Sequence, residues 1–340
     1  MSQQPLAFSR IAIVGAGAIG LWLGTRLAGS GGQISALARG PTLQALKAKG
    51  MRLTSGSGSV LHGQVQASDR AEALGVQDLV VIAVKAPALP QIAQQIGPLI
   101  GPHTVVLTAM NGVPWWFFEG FGGKQAGQAL RSIDPNGDIA RAIPARHVLG
   151  AVVHASCSVA EPGLAQHHFG NRLVVGEPAG GSSQRLQAVV ALLEQAGFET
   201  EASSCIQQDI WFKLWGNMTV NPISALTGAT TDLIMEDDLL RQAISGMMLE
   251  AREIGARIGA PITLDPEDRH VVTRKLGRFK TSMLQDVEAG KAVELDALLT
   301  VVHELGQRTG VATPLIDALL GMARLHARIQ GLYPWPGKAP

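Results

Sequence analysis

Residues 10–20 read RIAIVGAGAIG, a β-branched run at Ile11 to Val14 followed by Gly15, Gly17 and Gly20 in the order GxGxxG. Taken alone the pattern is weak, but a strand before it and a helical segment after it give the strand-turn-helix context that the opening of a dinucleotide-binding βαβ unit demands. Gly15 allows the tight turn, Gly17 lets the backbone approach a pyrophosphate, and Gly20 lets helix and strand pack closely. The Ala/Leu-rich segment from Ala18 to Ala28 supplies the helix. Its unpaired first-turn amides, those of Ala18 and Ile19 among them, and the positive end of its dipole would hold the phosphates. The chain contains 40 glycines, so the pattern alone leaves a ligand-free glycine turn open.

The same stretch has the outline of a secretory signal, since Ile11 to Thr25 is uncharged and follows Arg10. It carries four glycines, falls short of the ~20 residues of a spanning helix, and runs on into further strand-like and helix-like sequence instead of a cleavage site. We therefore read it as structure, with no membrane segment.

At 340 residues the chain exceeds what one hydrophobic core usually fills, so two domains are expected. Apolar residues make up 46% and charged residues 16%, a balance that supports packed cores and argues against extended disorder. Lys and Arg number 28 against 27 for Asp and Glu. No basic cluster exceeds two residues, which excludes a nucleic-acid footprint or a polybasic membrane contact and leaves a small molecule as partner. Cys157 and Cys205 form neither a CxxC nor a disulfide framework, which fits buried structural thiols in a reducing, cytoplasmic compartment.

The next strand, QISALA, leads to Arg39, 19 positions beyond Gly20. An NAD enzyme places Asp or Glu here for the ribose 2'-hydroxyl, but no carboxylate occurs from Ala28 through Val60. An arginine offers a planar cation to a 2'-phosphate, so the expected cofactor is NADP. Further buried parallel strands are expected at Asp78 to Ala86 and His103 to Gly112. Lys85, Asn111 and Gly112 then join Gly17 and Arg39 beyond the carboxyl ends of the strands, where open sheets bind ligands. Residues 148–178, with Pro162-Gly163 as turn, read as an antiparallel addition. A helix from Ser183 to Ala196 and a strand near Phe198 to Glu201 would follow. The expected class is α/β, with a Rossmann-type parallel-sheet domain over 1–203 and an all-helical substrate and dimerisation domain over 204–340.

In the second half, Leu240, Ile244, Met247, Met248, Ala251, Ile254 and Ile258 form an apolar stripe at helical spacing, and Val293 to Thr309 and Pro314 to Ile329 read similarly. Lys213, Asn217 and Asn221 stand at i, i+4 and i+8, so they share one helix face, with Pro222 placed to end or kink that helix. Spacing leaves two readings, a solvent-facing stripe, which is preferred, and a polar lining to a cleft. Ser282 opens SMLQD, and Glu294 follows 12 residues later; the simplest role for Glu294 is an exposed acid in the first turn of a helix. No HxxH or HExxH pair and no GxSxG elbow occurs, so metal and serine-hydrolase chemistry are not expected.

These residues together resemble the ketopantoate reductase (2-dehydropantoate 2-reductase) family along nearly the whole chain. The resemblance rests on VGAGAIG, AVKA with Lys85, MNG with Asn111, KLWGNMTVNPISAL, and SMLQD followed at the right spacing by VELD. VGAGAIG is shared by many dinucleotide enzymes, whereas the K-x-x-x-N-x-x-x-N-P block with SMLQD and its glutamate is far more specific. The resemblance implies a Rossmann domain joined to a helical domain, and NADPH-dependent reduction of a 2-oxo acid in pantothenate biosynthesis. It implies Lys213 as catalytic lysine, Glu294 as its partner, and Asn217, Asn221 and Ser282 as substrate-binding residues. Asn111 would stand where substrate meets nicotinamide, with Lys85 and Arg39 on the cofactor side, and a homodimer is expected. One departure is VPWWFFEGFGGKQ after Gly112, where other members carry small residues. Trp115, Trp116, Phe117 and Phe118 are read as core or dimer contact in preference to a pocket wall that would select a bulkier 2-oxo acid. A reductase of such an acid, and a non-catalytic NADP-binding sensor, are the rival readings.

Overall fold

The computed structural model describes residues 8–56 and 58–336. Ten strands, β1 (Arg10–Val14), β2 (Gln33–Leu37), β3 (Met51–Thr54), β4 (Val60–Gly63), β5 (Gln66–Ser68), β6 (Gln77–Ile82), β7 (Ile100–Thr108), β8 (Val148–Glu161), β9 (Leu164–Gly176) and β10 (Glu199–Ser203), form one sheet. Its order is β4-β3-β9-β8-β7-β6-β1-β2-β5, with β10 also paired to β9. Parallel pairing runs without interruption from β8 through β7, β6, β1 and β2 to β5. Among the described residues antiparallel pairing is confined to β8 with β9 and to β3 with β4. The Pro162-Gly163 turn joins β8 to β9 as the turn chemistry implied, with Gly163 at φ 76°. Val14 pairs with Leu37 and Ile82, and Ile82 with Thr108, so the carboxyl ends of four adjacent strands lie in one row.

The described residues form twelve α-helices: α1 (Ala18–Leu27), α2 (Gly40–Lys49), α3 (Leu89–Gln95), α4 (Asp138–Ala142), α5 (Gln184–Gln195), α6 (Ile206–Thr227), α7 (Thr231–Glu236), α8 (Asp238–Ile258), α9 (Pro266–Arg274), α10 (Ser282–Glu288), α11 (Val301–Thr309) and α12 (Pro314–Ile329). Helix α1 explains the signal-like stretch. Gly20 to Thr25 and Leu27 are all buried, because α1 packs against β3 and the β8-β9 hairpin as well as against β1. An element covered on every side has no use for charge. Trp22 meets Phe198 edge to face at 4.7 Å, and Arg26 closes the end of this core over the Phe198 ring while donating to Asn171 and the Gly197 carbonyl.

The chain divides into two compact units, one running to Met110 and resuming over Asn136–Asp209, the other comprising Asn111–Pro135 and everything from Ile210. This differs from the expected division into 1–203 and 204–340, because residues 111–135 belong with the helices. Trp115, Trp116, Phe117 and Phe118 are all buried there, with Phe117 edge-on to Phe118 and Phe121 and tilted against Trp211. Aromatic area of that size binds a segment to whichever core receives it. In α8 the stripe from Ile244 to Ile258 is buried as its spacing required. Pro222 does not end α6, which continues to Thr227. Proline removes the bond to the carbonyl four residues back and crowds that carbonyl with its ring, and α6 continues through Pro222 despite that cost. Cys157 and Cys205 are half-buried, more open than expected, and burial pushes the Cys157 thiol up to about 12. Among the described residues no helix is long and apolar enough to cross a membrane, and no group of three or more His, Cys, Asp or Glu is placed to hold a metal ion.

Candidate active site

In the first unit the three glycines differ in what surrounds them. Gly15 has φ 96°, and a methyl group there would strike Val84. A methyl at Gly20 would fall on the Gly15 carbonyl oxygen, whereas nothing lies within 4 Å of the position a methyl would take at Gly17. Turn, close packing and open approach are thus divided among them. Gly17 caps α1 without a side-chain bond, and the first-turn amides, including those of Ala18 and Ile19, have no intrahelical acceptors. Arg39 stands exposed at the start of α2 and donates from Nη1 to Gln91 Oε1 at 2.7 Å. Lys85 is half-buried three residues beyond β6. Open backbone at a helix N-terminus, one arginine and one lysine, with no carboxylate following β2, suit a dinucleotide that carries a 2'-phosphate.

The second unit brings other residues together around α6. Lys213 Nζ donates to Asn111 Oδ1 at 2.8 Å. Desolvation lowers the Lys213 pKa from 10.5 to about 8; the Glu294 carboxylate opposes the shift and the Arg269 guanidinium adds to it. Glu294 is 5% exposed and Asn221 7% exposed, while Lys213, Asn217 and Asn111 are half-buried. The preferred reading of a solvent-facing stripe is therefore corrected, as is that of Glu294 as an exposed helix-start acid. Asn111 and Glu294, which meet Lys213 through a hydrogen bond and through charge, come from far along the chain, and spacing within α6 carries no record of them.

The back of α6 holds that face in place. Trp211 and Trp215 lie two residues to either side of Lys213, about 200° around the helix. Trp215 Nε1 donates to the Met248 carbonyl on α8 at 2.7 Å, and Trp211 lies directly on Gly255 of the same helix, where a methyl would strike its indole nitrogen. With both indoles turned to α8, the lysine faces the other way.

Asn111 and Glu294 are tied together by a π-helical turn, Asp296–Thr300. There the Val301 amide bonds back to the Asp296 carbonyl, one residue further than an α-helix reaches. The bypassed Ala297 carbonyl instead accepts from the Val113 amide at 2.9 Å. Gly112, at φ 81°, passes so close that a methyl would sit on that carbonyl. Asn111 is in this way fixed two residues from the Val113 end of the anchor and Glu294 three residues from the Ala297 end. The Val293 amide also donates to the Leu332 carbonyl at 3.2 Å, and Tyr333 Oη to Asp296 Oδ1 at 2.6 Å. Ser282 is the first residue of α10, behind the capping hydroxyl of Thr281, and is half-buried.

Arg269, on α9, is the residue that sequence reasoning passed over. Its guanidinium lies directly on Gly216 of α6 and 5.9 Å from the Phe212 ring centre, one turn along the helix from Lys213. Gly216 was the available signal, since a glycine inside a helix costs about 1 kcal/mol against alanine and marks a close approach.

The family model for ketopantoate reductase PanE/ApbA matches residues 11–180, and that for the ketopantoate reductase PanE/ApbA C terminal matches residues 205–327. The chain is 43% identical over 325 residues to a 2-dehydropantoate 2-reductase of Mesorhizobium japonicum, covering 95% of this chain and 99% of that one. A crystal structure from Ralstonia solanacearum MolK2, assigned as a ketopantoate reductase, superposes with a TM-score of 0.92 at 55% identity, covering 96% of this chain and 100% of its own. That of 2-dehydropantoate 2-reductase from Geobacter metallireducens GS-15 gives 0.80 at 27%, over 93% and 99%.

Proposed function

The chain belongs to the ketopantoate reductase family, and from that membership we propose that it reduces 2-dehydropantoate to pantoate with NADPH, in the cytoplasm and as a homodimer. The observation that carries the chemistry is the desolvated Lys213 ammonium, oriented by Asn111 and adjusted to about 8. Below that value the ammonium holds its proton. As negative charge grows on the C2 ketone oxygen it stabilises the charge and donates the proton, at a pKa close enough to neutral for the transfer to be efficient. NADPH, when bound, supplies the hydride that completes the secondary alcohol. Asn111 fixes the direction of Nζ by accepting one of its hydrogens. Glu294 keeps the ammonium charged and accepts from a substrate hydroxyl, while Asn217, Asn221 and Ser282 hold the rest of the molecule. Gly15, Gly17, Ala18, Ile19, Gly20, Arg39 and Lys85 hold the dinucleotide, with Arg39 on the 2'-phosphate.

The burial of Trp115 to Phe118 removes the reason to expect a bulkier acid, and a sensor has no need of a proton donor poised near neutrality. The test follows NADPH absorbance with ketopantoate, 2-oxoisovalerate and bulkier 2-oxo acids in parallel. Oxidation is expected to be fastest with ketopantoate, and silence with every acid would favour the sensor.

Two further results are expected. Arg39→Ala removes a charge-assisted contact worth roughly 1.5–3 kcal/mol, so KM for NADPH rises about 10- to 100-fold while KM for NADH stays within about twofold; an equal change for both would remove Arg39 from the 2'-phosphate. On α12, Leu315, Met322, Leu325 and Ile329 are exposed and fall within about 80° of one another around the helix. Such a stripe marks a protein contact, and light scattering is expected to give twice the monomer mass.

A further inference from the structure

Resting on the reading of this site as a 2-oxo acid reductase, we propose that Arg269 binds the substrate's carboxylate and so selects acids over neutral ketones. Lys213 feels both the Glu294 carboxylate and the Arg269 guanidinium, so a second cation stands beside the ammonium, and a bound anion is complementary to the pair. Arg269 is half-buried, and burial lowers its pKa. The guanidinium lies directly on Gly216 with the Phe212 ring centre 5.9 Å away, and Nε is buried with no hydrogen-bond partner among the described residues. The guanidinium forms no ion pair or hydrogen bond with any described residue. Its two terminal nitrogens therefore retain the paired donors that match a carboxylate. Most other arginines of this chain spend theirs on carboxylates or backbone carbonyls, as Arg185 does on Glu177 and Arg308 on Glu304.

The chemistry divides accordingly. Lys213 acts on the ketone oxygen, and Arg269, on the flank of α6 that carries Phe212 and Gly216, takes the adjacent carboxylate. Both groups of a 2-oxo acid are then held at once, which fixes C2 between them. The glycine at 216 is what admits the guanidinium to that position.

The experiment compares kcat/KM for a 2-oxo acid with that for its methyl ester, in the wild type, Arg269→Gln and Arg269→Lys. In the wild type the acid is preferred. Arg269→Gln is expected to raise KM for the acid roughly 10- to 100-fold, with kcat changed far less, and to lower the acid-to-ester ratio by the same factor. It also removes a cation that depresses the Lys213 pKa, so the pH at which activity falls moves upward. Arg269→Lys retains the charge and most of the volume but not the planar fork, and is expected to lower the ratio at least threefold should the glutamine variant not fold. A folded variant of either kind that keeps the wild-type ratio, or that raises KM for NADPH instead, overturns the assignment alone. A wild-type chain that reduces no 2-oxo acid overturns the underlying reading, and the assignment with it.

Discussion

Lys213→Ala is expected to lower kcat for ketopantoate reduction by two to four orders of magnitude, the range that a positioned general acid supplies, while binding of NADPH and the melting temperature change little. Lys213→Arg separates the two duties of the side chain. A guanidinium keeps the positive charge but cannot give up a proton near neutrality, so it should recover binding of the acid and almost none of the turnover. The pH dependence tests the same assignment in the unaltered chain. Because the acid form is required, and burial has brought the pKa from 10.5 to about 8, reduction should be steady below about 8 and decline as pH rises through it. Glu294→Gln withdraws the carboxylate that favours the ammonium, and moves that decline to lower pH. A rate that persists to pH values near 10, or a Lys213→Ala enzyme with normal turnover, would assign the proton to another donor. The shift also bears on folding. An unfolded lysine keeps its proton up to about 10.5, so the folded chain binds fewer protons between about 8 and 10.5, and this group makes folding more favourable as pH rises across that window.

Gly112→Ala is the second large expected effect. A residue with a Cβ at φ 81° pays roughly 1–2 kcal/mol for the left-handed conformation. The added methyl also meets the Ala297 carbonyl, and overpacking of that kind costs about 1–3 kcal/mol more. A loss of about 2–5 kcal/mol in unfolding free energy should be measurable by urea denaturation. Activity should fall further than stability accounts for, because the displaced backbone carries Asn111, whose side chain orients Lys213. A Gly112→Ala protein with wild-type stability and turnover would mean that the Val113–Ala297 bond is no anchor.

Much of this was legible in the sequence where the information is local. The β1-α1 turn, the Pro162-Gly163 hairpin, α5 behind its Ser183 cap and α12 behind Pro314 all carry their own start and stop signals. The shared face of Lys213, Asn217 and Asn221 also follows from spacing. What covers that face did not. Residues 111–135 fall inside the expected 1–203 domain, and only tertiary packing assigns their aromatic side chains to the helical unit. Arg269 sits in PEDRHVVTR, where a dense run of charge looks like a solvated surface. Glu294 reads as a helix-start acid because a helix does begin near it, but the π-helical turn at Asp296–Thr300 has no compositional mark.

That turn is in effect one residue inserted into a helix. Each residue advances a helix by about 100°, so the insertion sets the angular phase between Glu294 upstream and the buried stripe of Val302 and Leu305 on α11 downstream. Removing a single residue between 296 and 300 would let the segment relax into a continuous α-helix that is locally more regular. The same deletion would rotate Glu294 through roughly a quarter turn and return the Ala297 carbonyl to its own helix. The irregularity works as a timing gear, allowing a core face and the buried Glu294 carboxylate to be aimed separately from one stretch of chain.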